Sequence, residues 1–314
     1  MIKKIQQYIT SKNLFSKDNN LLLAISGGAD SMCLFFVLKE LGYSIDLAHC
    51  NFNLRAEESD EDESFVKALA NTYSVKCHVK SFATQKYANE KKISIQMAAR
   101  DLRYKWFDEL LTNNNLDFVI TAHHKDDNVE TFFINLIRGT GINGLCGIKT
   151  KNKNIIRPLL EISRQEIEHY LNQKNIKYRH DSSNSEVKYL RNKIRHQLMP
   201  LLKEMNPNIQ QTITDEMFVL DGISKVFQKQ INTIRERLLK EKGGIYQLNI
   251  SQLIELEHLE IFLFEILKPF GLFEIDQIIK AINSQSGKQF FSETYQIIID
   301  REEIIISLLE NYQD

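Results

Sequence analysis

Two short stretches of this chain hold residue types that suit phosphate and amine chemistry. The first is Ser26-Gly27-Gly28-Ala29-Asp30-Ser31, between the apolar run LLLAI and an apolar helical pattern from Met32 to Leu41. Consecutive glycines let the backbone approach an anion closely, because no Cβ intervenes. The helix start that follows offers unpaired N–H groups and the positive end of a dipole. Ser26 and Ser31 add hydroxyl donors, so the turn reads as a phosphate cradle. It lacks the Gly-Lys-Ser/Thr ending of a Walker A loop, which excludes that class of NTPase.

The second stretch is His123-His124-Lys125-Asp126-Asp127-Asn128-Val129-Glu130-Thr131. Asp127 and Glu130 are three apart and share one helix face. Paired carboxylates there suit a bound cation, an amine or a magnesium ion, or they complement the helix dipole. Asp126 has the type and position of an N-cap. Adjacent side chains on extended backbone point to opposite faces, which argues against His123 and His124 sharing a metal. Arg100 and Arg103 also fall on one helix face, where guanidinium forks bind phosphate oxygens or acidic neighbours. His49 closes a strand and either borders the nucleotide pocket or makes a structural hydrogen bond. Arg191 and Arg195, four apart, suit RNA phosphate, the nucleotide, or a solvated face.

The elements that position these residues follow from hydrophobic pattern. Strands are expected at 21–26, 44–50, 75–79 and 117–122, separated by helical patterns that include 95–111 and 126–137. Such alternation indicates a parallel sheet with helices on both faces. Ligands in such folds sit beyond the carboxyl ends of the strands, where the phosphate turn and the acidic helix start fall. Past Pro200 and Pro207 the pattern changes to a long helix over 208–242, a helix over 258–272 and two strands at 294–300 and 302–309. The boundary between two domains is expected near residue 205.

Composition sets the class. With 314 residues, 43% hydrophobic and 26% charged, the chain suits two folded domains rather than disorder. No apolar run approaches the ~20 residues that span a bilayer, and the N-terminus lacks the pattern of a secretory signal. Four scattered cysteines support neither a disulfide scaffold nor a metal cluster and fit a reducing cytoplasm. From Lys149 to Lys203 there are 13 Lys/Arg against 5 Asp/Glu, a net +8, which leaves −9 for the rest of a chain at −1. A cationic stretch on a neutral protein suits either a polyanion held at one face or a solvated helical surface.

SGGADS resembles the signature of the PP-loop ATP pyrophosphatases, which cleave ATP to AMP and pyrophosphate. The segment His49-Cys50-Asn51-Phe52-Asn53-Leu54-Arg55, the helix Ala99-Arg100-Asp101-Leu102-Arg103-Tyr104 and the His-His-x-Asp-Asp segment are similar to those of the tRNA(Ile)-lysidine synthases. Arg138-Gly139-Thr140-Gly141, Arg157-Pro158-Leu159-Leu160, Asp181-Ser182-Ser183-Asn184 and Arg191-Asn192-x-x-Arg195 follow in that family's order. The resemblance covers roughly residues 20 to 205. It implies a PP-loop catalytic domain over 1–205 and a smaller, mainly helical domain over 206–314 that serves tRNA binding or makes a homodimer. It also implies that ATP, Mg2+, free L-lysine and an isoleucine tRNA with a CAU anticodon meet in one site. Ser26, Gly27, Gly28, Ala29, Asp30, Ser31, His49 and Arg55 would hold ATP, with Asp30 on the metal. Arg103 would sit at the α-phosphate, Asp127 and Glu130 on lysine, and Arg100, Arg191 and Arg195 on RNA or phosphate. Asn128 departs from the family's usual Gln. Longer members carry a further C-terminal tRNA-binding domain with no counterpart in these 314 residues, which fits a compact member or a shortened chain.

Overall fold

A computed structural model describes residues 1–54, 57–179, 190–284 and 287–309. The chain divides into two compact units, Met1–Leu220 and Asp221–Asp314.

The first unit is built on strands β1 (Asn20–Ala24), β2 (Ser44–Asn51), β3 (Cys77–Ser81), β4 (Phe118–Ile120), β5 (Lys151–Asn152) and β6 (Ile155–Ile156). Their order in the sheet is β3-β2-β1-β4-β6-β5, parallel except for the β5–β6 edge. Helices α1 (Ile2–Ser11), α2 (Ala29–Glu40), α3 (Glu57–Thr72), α4 (Thr84–Lys91), α5 (Ile95–Asn114), α6 (Lys125–Arg138), α7 (Gly141–Leu145) and α8 (Arg164–Gln173) accompany it. The pleat of β1 explains its unbroken apolar run. Leu21 and Leu23 enter one core with Ile9, Met32, Phe35 and Leu171, while Leu22 enters another with Ala48, Trp106, Phe107 and Val119. Strands buried on both faces lose the polar alternation of half-exposed ones. Each fully buried leucine of β1 contributes about 1.5–3 kcal/mol. The order reverses beside β1, whose neighbours β2 and β4 leave in opposite directions across the sheet. That switch point opens a crevice at the strand carboxyl ends.

Further along, α9 (Leu190–Lys193) runs through a π-helical turn, Ile194–Leu198, into α10 (Met199–Met205), and α11 spans Ile209–Leu238. Ile213 and Met217 of α11 pack with Val129, Ile194 and Met199 inside the first unit.

The second unit holds β7 (Leu239–Lys242), β8 (Ile245–Asn249), α12 (Ile250–Ile254), α13 (Leu259–Leu267), α14 (Ile275–Ile282), β9 (Gln289–Phe291), β10 (Tyr295–Ile299) and β11 (Glu303–Leu308). Its sheet is antiparallel, in the order β7-β8-β11-β10-β9. The two strands read at the end of the sequence pair as β10 and β11. The helix read through Lys242 stops at Leu238 instead. Gly243 and Gly244, at φ +60° and +78°, form the two-residue turn of the β7–β8 hairpin. The helix pattern over 258–272 ends in a 3₁₀ turn, Lys268–Phe270, closed by Gly271 at φ +70°. No helix among the described residues is long and apolar enough to cross a membrane.

Candidate active site

The turn after β1 is shaped by its glycines. Gly27 has φ +86°, and a Cβ on it would lie 3.2 Å from the Phe65 ring. Its carbonyl accepts the Arg179 amide at 2.9 Å, which ties the turn to the basic stretch. Gly28 is the N-cap of α2 and brings no side chain to the helix start. The Ser31 hydroxyl donates to the Gly28 carbonyl at 3.0 Å and is buried, so it braces the turn. The Ser26 side chain is exposed, and its Oγ accepts the Gly28 amide at 3.3 Å. Ala29 is buried beneath the turn. The first amides of α2, which have no partner inside a helix, face the strand carboxyl ends.

Because β1 and β4 are neighbours, this turn lies beside the segment that leads into α6. His124 joins the two. Its Nε2 is 3.7 Å from Asp30 Oδ2 and 3.6 Å from Asp127 Oδ2, and its Nδ1 is 3.7 Å from Asp126 Oδ2. The N-cap of α6 is His124, not Asp126. Asp127 turns back to accept the His124 amide at 3.1 Å. Asp126 leaves the cap to accept the backbone amide of Arg164 at 2.9 Å and the Gln210 side chain at 2.7 Å. Asp30 accepts a 2.7 Å hydrogen bond from the Arg164 guanidinium, which also binds Glu168 at 2.7 Å. Burial pushes the Asp30 carboxyl above its ordinary value despite His124 and Arg164. Burial also presses Asp127 upward, but the imidazoles of His124 and His123 and the capping bond outweigh it and hold the carboxyl low.

Glu130 is buried and fully occupied. Arg195 grips it with both prongs, at 2.6 Å and 3.0 Å, and Arg191 adds a contact at 3.5 Å. Burial still leaves its carboxyl above the ordinary value. The two arginines expected on RNA or phosphate therefore meet a carboxylate expected on lysine. Other cations of the basic stretch are paired as well: Arg179 with Asp62 and Glu61, Lys174 with Glu40. The charge asymmetry of the sequence is thus partly cancelled by folding. A cavity of about 320 Å³ opens over His124, Asp126, Glu130, Arg164 and Arg195. A larger hollow of about 580 Å³ lies between α2, α3 and α8, lined by Phe36, Phe65, Leu69 and Tyr73 together with the Lys174–Glu40 pair, and shares none of the residues that line the smaller cavity.

On the other side of α6, His123 bonds Thr121 Oγ1 at 3.0 Å. Burial lowers it to about 4, with Asp127 opposing and Arg157, Arg191 and Arg103 adding to the fall. Arg103 stacks on Phe52 at 5.2 Å and Arg100 on Tyr104 at 4.9 Å. Arg157 is buried, with Nη1 donating to the Lys149 carbonyl at 2.7 Å. His49 Nδ1 bonds the Ile25 carbonyl at 2.9 Å, the structural bond of the two readings, made at the base of the phosphate turn. Asn128 keeps a backbone partner, the Ile148 amide. Arg55 and residues 181–184 lie outside the described residues.

The sequence reading missed Arg164, and it quoted Arg157, His124 and Asn51 within motifs without giving them a place in the site. Arg164 carried a signal: Ser163-x-x-Glu166 is a capping box, confirmed at 3.2 Å and 2.8 Å. It marks Arg164 as the first residue of a helix, where a cation opposes the dipole and needs a carboxylate. Buried Asn51 binds Asp60 and Glu63 at 3.0 Å each, a pairing with no local signature.

Among the described residues no group of three or more His, Cys, Asp or Glu could enclose a metal ion. A magnesium ion carried on a triphosphate needs only one or two protein carboxylates. Asp30 fits that demand, with Oδ2 turned from Arg164. Burial pushes the Cys50 thiol up to about 12, so it stays protonated rather than nucleophilic.

Comparison with known proteins adds to this geometry. A family model described as a PP-loop domain matches residues 1–202, and one described as the TilS substrate binding domain matches residues 240–309. A tRNA(Ile)-lysidine synthase of Bacteroides thetaiotaomicron is 42% identical over 309 residues, which span 98% of this chain and 72% of that one. Another, from Porphyromonas gingivalis, is 40% identical over 310 residues, spanning 98% and 67%. Among solved structures, the U34-tRNA thiolase NcsA of Methanococcus maripaludis, with its 4Fe-4S cluster, aligns at a TM-score of 0.56 and 16% identity. It covers 70% of this chain and 78% of its own, a likeness of fold alone.

Proposed function

The chain belongs to the tRNA(Ile)-lysidine synthase family, and from that premise we propose that it joins lysine to C2 of the wobble cytidine of an isoleucine tRNA with a CAU anticodon. The cytosine 2-oxo group is a poor leaving group. Its oxygen attacks the α-phosphorus of ATP, the bond to the β-phosphate oxygen breaks, and pyrophosphate departs. A lysine amine then attacks C2 of the adenylated base, and the C2–oxygen bond breaks to release AMP. The base must leave its stack to expose this edge.

The observation that carries this reading is the contact of His124 with both Asp30 and Asp127, at 3.7 Å and 3.6 Å. It joins the phosphate turn to the carboxylates in one crevice. In this reading the Gly27-Gly28 backbone cradles the triphosphate, and Asp30 supplies one oxygen to magnesium. The metal's chemistry is to neutralise charge on the phosphates. Arg103 faces the α-phosphate, where charge develops in the transition state.

The second step needs a neutral amine. With an ordinary pKa of ~10.4, about one lysine amine in 2,500 is neutral at pH 7, a cost of about 4.6 kcal/mol. Asp127 is the more accessible of the two carboxylates for binding and orienting the amine. Its Oδ1 has an Arg195 nitrogen at 3.6 Å, beyond hydrogen-bond distance, whereas both Glu130 oxygens are held by the Arg195 fork. Glu130 then anchors the arginines beside the lysine. A tRNA thiolation reading is disfavoured by the raised Cys50 thiol and by scattered cysteines. The substrates belong to the cytoplasm, where we place the enzyme.

Pyrophosphate release with unmodified isoleucine tRNA, measured with and without lysine, tests the reading. AMP accumulation with lysine incorporated into the tRNA is expected. Sulfur transfer, or no turnover, overturns it.

A further inference from the structure

His124 is buried, with 4% of its side chain exposed, yet its Nδ1 has no hydrogen-bond partner. Buried polar groups are nearly always satisfied, and an apolar side chain of the same shape would fill this space without the desolvation cost. Packing alone therefore does not account for an imidazole here. The ring stands among carboxylates from two helices: Asp30 of α2, and Asp126 and Asp127 of α6. Among the described residues it is the side chain that pairs with both Asp30 and Asp127. The backbone fixes the ring's origin, since His124 is the N-cap of α6 and its amide is held by Asp127 at 3.1 Å.

We propose that His124 is a positioning residue for both halves of the reaction: the Nε2 edge of its ring sets the spacing between Asp30 at the phosphate turn and Asp127 at the amine site. The proposal rests on the roles given to those two carboxylates above. A planar ring cannot shorten or bend, so one edge sets how closely each carboxylate can approach the other. A displacement of about 1 Å at a reacting centre can cost on the order of 100-fold in rate, and here one strut serves two centres.

Three substitutions separate the ring's edges. His124→Gln carries an amide nitrogen near the position of Nε2, His124→Asn carries one near Nδ1, and His124→Leu fills the space without a polar edge. The expected result is that His124→Gln keeps the KM for ATP and for lysine within about 3-fold of native. His124→Asn and His124→Leu should lower turnover by roughly 10-fold or more and raise both KM values, with thermal unfolding near native for at least one of them. Native KM values in His124→Leu, a rise for one substrate only, or equal behaviour of Gln and Asn would overturn the proposal. Asp127→Asn is the control. If it leaves the KM for lysine unchanged, the underlying reading of Asp127 fails; if it raises that KM while the His124 variants do not follow the pattern, the positioning role alone fails.

Discussion

In the first unit His49, Asn51, His124, Glu130 and Arg157 are buried near the carboxyl ends of a parallel sheet, whereas among the described residues of the second unit the buried polar side chain is Ser224. The second unit instead buries Leu248, Leu253, Leu263, Ile266, Leu267, Ile278, Ile297 and Ile304 in one apolar core. Taking a charge out of water costs several kcal/mol per ion and is repaid only by close partners. Apolar residues of equal volume would hold the first unit together at lower cost. The buried charges therefore mark where chemistry takes precedence over stability, whereas the second unit, which matches a substrate binding domain, keeps its interior apolar.

Substitutions of similar size should separate the two regions. The largest effect is expected for Asp30→Asn, with AMP formation falling roughly 10²–10³-fold while the thermal midpoint moves little; a midpoint collapse would make Asp30 a structural group. Next comes Leu263→Ala, fully buried in the second core, which should cost about 2–5 kcal/mol in urea unfolding. Its turnover per folded molecule should remain near native, and a loss comparable to that of Asp30→Asn would erase the contrast. The smallest effect concerns His123. Held at about 4 instead of 6.5, it stays neutral in the fold where the unfolded chain takes up a proton. Its contribution is present above pH 6.5 and is lost as the pH falls towards about 4. The thermal midpoint measured across that interval should slope less in His123→Asn than in the native protein.

Much of the first unit was legible in the sequence because its signals are local. LLLAI buried on both faces, a glycine turn and an apolar helix need no distant partner to be read. The acidic helix start at residues 126–130 was equally plain, although the cap itself fell to His124. What stayed hidden depends on distant pairing. Arg164 finds Asp30 across 134 positions, and Arg195 finds Glu130 across 65. No periodicity encodes such partners. The Gly243-Gly244 pair shows a different limit, since glycine ends a helix and turns a hairpin by the same freedom at positive φ.

The central strand also bears on how the protein is made. Leu21 of β1 pairs with Phe118 of β4, so the middle of the sheet cannot close until about a hundred further residues have been synthesised. At about 5–20 residues per second on the ribosome, the emerging N-terminal third waits several seconds or more with Leu21, Leu22 and Leu23 uncovered on one side. Non-local pairing of this kind slows folding. For that interval the strand most deeply enclosed in the finished enzyme is an aggregation hazard, and shielding by a chaperone should raise the yield of soluble protein during rapid expression.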